Sequence, residues 1–169
     1  MAITLTGKLA PEAVQPGCDR PVLTLPLRDR QRSRLAAMLP EGRAVAVLLA
    51  RGESMQHGDV LCNEAGDQVL IQAAVEELLE IRADTPFALM RIVYHLANRH
   101  VRAMLTPETV LIEPDSVLAA MVVRLGGKVR AVSQAFHPEG GAYSGGQGGH
   151  HHHHGHEAES LEDAAKGNL

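Results

Sequence analysis

The order of hydrophobic periodicities between residues 75 and 136 narrows the fold more than any other feature. PFALMRIVYHLANRH (86–100) carries Phe87, Met90, Val93, Tyr94 and Ala97 at helical spacing, behind a proline that suits a first helical turn. VRAML (101–105) and TVLIEP (109–114) are strand-like runs parted by Thr106-Pro107-Glu108. SVLAAMVVRLGG (116–127) predicts a second helix, opened by Asp115-Ser116 and closed by Gly126-Gly127, with apolar Val117, Leu118, Met121, Val122 and Leu125. KVRAVSQAF (128–136) closes with a strand. The periodicity of EELLEIRAD (76–84) leaves helix and strand open. Taken as a strand, it completes β-α-β-β-α-β, the ferredoxin-like order, with an antiparallel sheet and two helices on one face.

The residues before it follow a different grammar. ITLTGKL (3–9) and VLTLPLRDR (22–30) read as short strands, the latter alternating apolar and polar positions. AVAVLLA (44–50) is continuously apolar and predicts a strand buried on both faces. Asn63-Glu64-Ala65-Gly66-Asp67, between VLC and QVLIQAA, is a hairpin signal. Arg28, Arg30, Arg32 and Arg34 alternate with Asp29, Gln31 and Ser33, which reads as a solvated face of an extended segment. The expected class is therefore α+β: an N-terminal all-β domain (1–74), a ferredoxin-like domain (75–143) and a Gly/His-rich tail (144–169). After the glycine-rich linker SGGQGG (144–149) the tail lacks the apolar residues to join a core and is expected to be disordered.

With two Phe, two Tyr and no Trp, the core must be aliphatic. A net charge of −4 gives no general pull toward nucleic acid or an anionic membrane. No apolar run approaches the roughly 20 residues that span a bilayer, and there is no leader-like start. Cys18 and Cys62 are isolated thiols outside any CxxC, so a cytoplasmic location is expected and a thiolate zinc site is not.

The chemistry lies in the histidines. His150, His151, His152, His153, His154 and His156 form HHHHHGH, followed by the acidic EAESLEDAAKGNL, which reads as a native segment rather than a purification tag. Neutral imidazole suits Ni²⁺, Zn²⁺ and Cu²⁺. The acidic residues beyond it read as solvating. Four histidines lie outside the tail: His57, His95, His100 and His137. His95 and His100 are five positions apart, a rotation of about 140° around a helix, so they do not share a face. His95, inside the apolar-periodic stretch, reads as a packed, hydrogen-bonded core residue, and His100 as exposed. A single imidazole is a weak metal site, since stable coordination takes about four ligands. Two-fold symmetry in a homodimer would pair it with its own copy.

YHLANRHV (94–101) is similar to the YHLGNRHV signature of the urease accessory protein UreE family. RGESMQHGDVL (51–61), PFALMRIVYHL, DSVLAAMVVRLG and AFHPEGGAY (135–143) resemble further segments of that family in the same order, and a histidine-rich C-terminus recurs in it. The resemblance implies a nickel metallochaperone of urease maturation. In it His100 is the principal Ni²⁺ ligand, shared across a homodimer interface, and tail histidines complete the shell. It also implies a peptide-binding, chaperone-like N-terminal domain, with the accessory GTPase UreG and apo-urease as partners. Zn²⁺ or Cu²⁺ would compete as cargo. Ala97 stands where the family often has Gly, and IEPDS (112–116) lacks the histidines some relatives carry there, which shifts weight onto the tail.

No GxxxxGK[ST], HExxH or GxSxG is present, so catalysis is not expected. Two other readings stay open: a nickel or zinc storage and buffering protein acting through its tail, and a peptide-binding module whose metal binding is incidental.

Overall fold

A computed structural model of the chain describes residues 2–15 and 17–140, so the tail expected at 144–169 and its six histidines lie outside the described residues. The fold is α+β. In the N-terminal half, β1 (Ile3–Leu5), β5 (Ala44–Leu48) and β4 (Arg34–Met38) form one sheet in the order β1-β5-β4. A second sheet has β2 (Gly7–Lys8), β6 (Val60–Cys62), β7 (Gln68–Ala73) and β3 (Val22–Leu25) in the order β2-β6-β7-β3. Inward residues of both sheets, among them Leu5, Val45, Val47, Leu61, Val69 and Ile71, make one aliphatic core. The β6–β7 hairpin forms as its turn residues predict, with Asn63 N–H bonded to Asp67 O at 3.3 Å. The pairings of β1 with β5 and of β3 with β7 are parallel and join distant segments, which no hairpin signal announces.

The C-terminal half is β8 (Val75–Arg82), α2 (Pro86–Ala97), β9 (Ala103–Leu105), β10 (Val110–Ile112), α3 (Ser116–Arg124) and β11 (Lys128–Ala135). All neighbours in its sheet, ordered β11-β8-β10-β9, are antiparallel, the ferredoxin-like arrangement. EELLEIR is thus a strand, β8, paired with β11 along its whole length. Local chemistry sets the helix starts. Thr85 Oγ1 accepts from Ala88 N–H at 3.1 Å, and Asp115 Oδ1 accepts from Val117 and Leu118 N–H at 2.8 and 2.9 Å. At the end of α3 the chain turns through Gly126 at φ +86°. Gly127 then passes so close beneath the helices that a Cβ would lie 2.5 Å from Val122 Cγ1 and 2.8 Å from Ile92 Cδ1.

Each face of this sheet has its own cover. Ile81, Val110 and Ile112 meet Ile92, Leu96 and Val122 of the two helices. On the other face Leu78, Met104, Leu111 and Phe136 pack against Leu27 from α1 (Leu27–Arg30), a single helical turn of the N-terminal half. This seam corrects the reading of the arginine cluster. Pro26 ends β3 and the chain coils, so Leu27–Arg30 is helical rather than extended. Arg30 is not solvated but fully buried, and donates from Nε to Leu25 O at 3.2 Å and from Nη2 to Phe136 O. Burial pushes its pKa down and Glu76 partly opposes that. Its Nη1 is buried without a partner among the described residues.

One more expectation needs correction, and neither helix buries all the apolar residues that its spacing displays. The 44–50 run is not buried on both faces: β5 alternates, with Val45 and Val47 inward and Ala44 and Leu48 exposed, because only one side of its sheet is covered. On α3, Val117 is 73% exposed, and the buried residues are Met121 and Val122. On α2, the buried residues are Ile92 and Leu96, whereas Phe87, Met90 and Tyr94 face out at 69%, 63% and 65% exposure. Helix α2 therefore has two apolar stripes, and the one picked out by spacing is mostly the outer one.

On the part of the sheet that α1 leaves uncovered, Glu80 is buried between two arginines. Its Oε1 accepts from Arg82 Nε and Arg130 Nε, both at 2.8 Å, and its Oε2 from Arg130 Nη2 at 3.0 Å. These bonds hold the Glu80 pKa down at about 2. A depressed carboxylate stabilises the fold above its unfolded value, near 4.5, and loses that contribution as pH falls from there through about 2. Because the Arg82 and Arg130 side chains are 48% and 66% exposed, the shift is heavily screened. Glu80→Gln is expected to cost about 1–2 kcal/mol at pH 7 and almost nothing at pH 2. Urea denaturation of both forms at the two pH values checks this, and equal losses at both would refute it.

Candidate metal-binding site

His100 sits where α2 stops, in a geometry that helix chemistry explains. Val101 N–H bonds to Leu96 O at 3.2 Å and His100 N–H to Ala97 O at 2.9 Å. This pair of bonds is a Schellman motif whose left-handed position is His100. Val101 follows as the apolar residue that packs with Leu96. His100, at φ +55°, is the one non-glycine residue with positive φ among the described residues. Glycine usually holds that position, because a Cβ there costs on the order of 1 kcal/mol. An imidazole kept in a place that favours glycine points to a use for the side chain rather than to backbone need.

The surroundings add three properties. His100 is exposed, as its place after Asn98-Arg99 predicts. Beside it lies a concavity of about 400 Å³, floored by Val93, Leu96 and Val110, with His100, Arg102 and Glu139 among its lining residues. Glu139 is pinned there by its N–H to Ala103 O at 2.8 Å. Earlier on the same helix, Phe87, Met90 and Tyr94 form an exposed apolar stripe.

The remaining histidines are dispersed or paired. His95 is half-buried, with its ring edge-on to Tyr94 at 5.5 Å, and it belongs to none of the three hydrophobic clusters. The packed core role is thus not realised, because the helix turns Ile92 and Leu96 inward instead. His57 and His137, 80 positions apart in sequence, are stacked with ring centroids 5.4 Å apart. No spacing rule could have found that pair. Among the described residues no three His, Cys, Asp or Glu side chains gather in a way that could hold a metal ion. His150, His151, His152, His153, His154 and His156 lie outside the described residues. Among the described residues no helix is long and apolar enough to cross a membrane.

A ferredoxin-like domain that follows a β domain, with an exposed, strained histidine where its first helix ends, defines an α+β protein with a candidate surface site. The family model for the N-terminal domain of the UreE urease accessory protein matches residues 12–74, and that for its C-terminal domain matches residues 76–160. The urease accessory protein UreE of Ralstonia nicotianae is 48% identical over 145 residues, covering 86% of this chain and 66% of that relative. Those of Cupriavidus necator and Burkholderia ambifaria are each 44% identical, covering 92% and 96% of this chain and 80% and 79% of theirs. The chain thus spans just under two thirds of the Ralstonia relative. It belongs to the UreE urease accessory protein family.

Proposed function

We propose that this protein is a cytosolic nickel metallochaperone that hands Ni²⁺ to apo-urease through the accessory GTPase UreG. Its primary site is formed by His100 from two copies of the chain. The observation that carries the proposal is the outer stripe of α2, which leaves Phe87, Met90 and Tyr94 exposed on one face of the helix that leads to the strained His100. Apolar residues gathered on one helix face mark an interaction surface. If a two-fold axis crosses that face, each His100 meets its counterpart and one imidazole becomes two. His150, His151, His152, His153, His154 and His156 then serve as auxiliary ligands, held at high local concentration by the glycine-rich linker.

A site of few, exchangeable ligands suits a carrier, because the ion is bound appreciably yet leaves by ligand exchange. Zn²⁺ and Cu²⁺ compete for the same imidazoles. The division into 1–74, 75–143 and 144–169 assigns partner docking to the first segment, the bridging site to the second and capture to the third.

Met90→Asp places a charge in the middle of the stripe. It is expected to give a monomer by sedimentation and to lose the bridging nickel site while the tail still binds weakly. A Met90→Asp protein that remains dimeric with unchanged nickel stoichiometry would overturn the proposal. Nickel affinity is also expected to fall steeply below about pH 6.5, where free imidazoles take protons. Calorimetric titrations at pH 7.5 and 5.5 test this, and equal affinities would exclude imidazole ligation.

A further inference from the structure

The stacked pair His57–His137 has no part in the proposed nickel site, and it lies where the two halves of the chain join. His57 belongs to the loop between β5 and β6, and Asp59 of that loop accepts from Ile71 N–H at 2.8 Å, extending the pairing along β7. At the next inward amide no strand partner remains. Instead His57 Nδ1 accepts from Ala73 N–H at 3.2 Å. Ala73 is 4% exposed and is the last residue of β7, separated from β8 by Ala74 alone. His137 follows Phe136 at the end of β11, whose Ala135 pairs with Val75 at the start of β8. The two rings thus join the last loop contact of the β domain to the far end of the ferredoxin-like sheet, at 5.4 Å between centroids.

The direction of the hydrogen bond decides what this pair can do. An acceptor at Nδ1 puts the proton of neutral His57 on Nε2. A metal-ligating histidine needs the opposite arrangement, with its second nitrogen donating to a carbonyl or carboxylate. His57 is therefore unsuited to a metal and suited to a proton. When it becomes an imidazolium both nitrogens donate, and the buried Ala73 N–H loses its acceptor.

The charged groups on the surrounding elements are mostly committed elsewhere. Asp59 is ion-paired with Lys8 at 2.7 Å, and Glu53 accepts from Ala50 N–H at 3.1 Å. Glu76 on β8 accepts from Leu27 N–H at 2.8 Å, and Arg30 donates to Phe136 O. Glu139 lies two residues beyond His137. We infer that His57 and His137 form a proton-responsive clasp where the β half meets the ferredoxin-like sheet, closed by neutral imidazoles and released when His57 takes a proton.

Amide NMR and hydrogen exchange on the metal-free full chain between pH 7.5 and 5.0 test this. On acidification the Ala73 and His137 amide signals are expected to move together, and protection of the Ala73 amide to fall about tenfold as its hydrogen bond is lost. His57→Gln keeps an acceptor that does not titrate in this range, so both responses should vanish. His137→Phe keeps a stacking ring, so the Ala73 response should persist. A pH-insensitive Ala73 amide in the wild type, a full response in His57→Gln, or loss of the Ala73 response in His137→Phe would each overturn the clasp.

Discussion

His100→Ala is expected to weaken the tight class of nickel sites at least about a hundredfold, since losing even a second-sphere partner of a metal ligand costs 10–100-fold. Weaker binding from the tail histidines should remain in a calorimetric titration. The backbone supplies an internal control. At φ +55° alanine carries the same left-handed strain as histidine, so His100→Ala should leave thermal stability nearly unchanged. His100→Gly should lose the same nickel site yet gain about 0.5–1 kcal/mol, because glycine occupies that conformation without strain. Loss of nickel with stability rising only in the glycine variant would separate ligand loss from misfolding. Unchanged affinity and stoichiometry in both variants would end the assignment of His100.

Arg30→Ala is expected to destabilise the protein by about 3–5 kcal/mol, the largest effect on stability foreseen for any single side chain here. The substitution removes a fully buried side chain and leaves Phe136 O without its donor, while Leu25 O keeps only the Ala74 N–H at 2.9 Å. It should also loosen the seam, because those two carbonyls belong to opposite halves of the chain. Arg30→Met fills most of the same volume without burying a charge, and should cost roughly half as much. Urea denaturation of the two variants checks both figures. A loss below about 1 kcal/mol in Arg30→Ala would show that the seam rests on Leu27 and Phe136 alone.

The ferredoxin-like half was legible because its signals are local. Pro86, Asp115 and Gly126 punctuate the helices, and Thr106-Pro107-Glu108 parts the short strands, so β-α-β-β-α-β follows without reference to distant residues. The β half was legible only as a set of strands. Its parallel partners, β1 with β5 and β3 with β7, are joined by long connections that leave no mark at either strand. The arginine series shows the same limit, since a one-turn helix after Pro26 sent Arg30 into the seam while Arg28, Arg32 and Arg34 remained at the surface.

Helix α2 forms as its spacing predicts, but spacing does not say which face is covered. Phe87, Met90 and Tyr94 satisfy helical periodicity as well as Ile92 and Leu96 do, and periodicity carries no information about which stripe meets the sheet. In the proposed dimer both stripes are covered, one by the sheet and one by a second copy, which accounts for a helix with two apolar faces.

The amino-acid sequence alone therefore determined the class of fold and the family resemblance through NRH and HPEGGAY, because each depends on residue type and short spacing. Tertiary structure alone decided that His100 occupies a left-handed position, that Phe87, Met90 and Tyr94 stay exposed, that Arg30 is buried, and that His57 meets His137. These facts depend on which surfaces of distant segments come into contact, and contact across a fold is set by packing rather than by order along the chain.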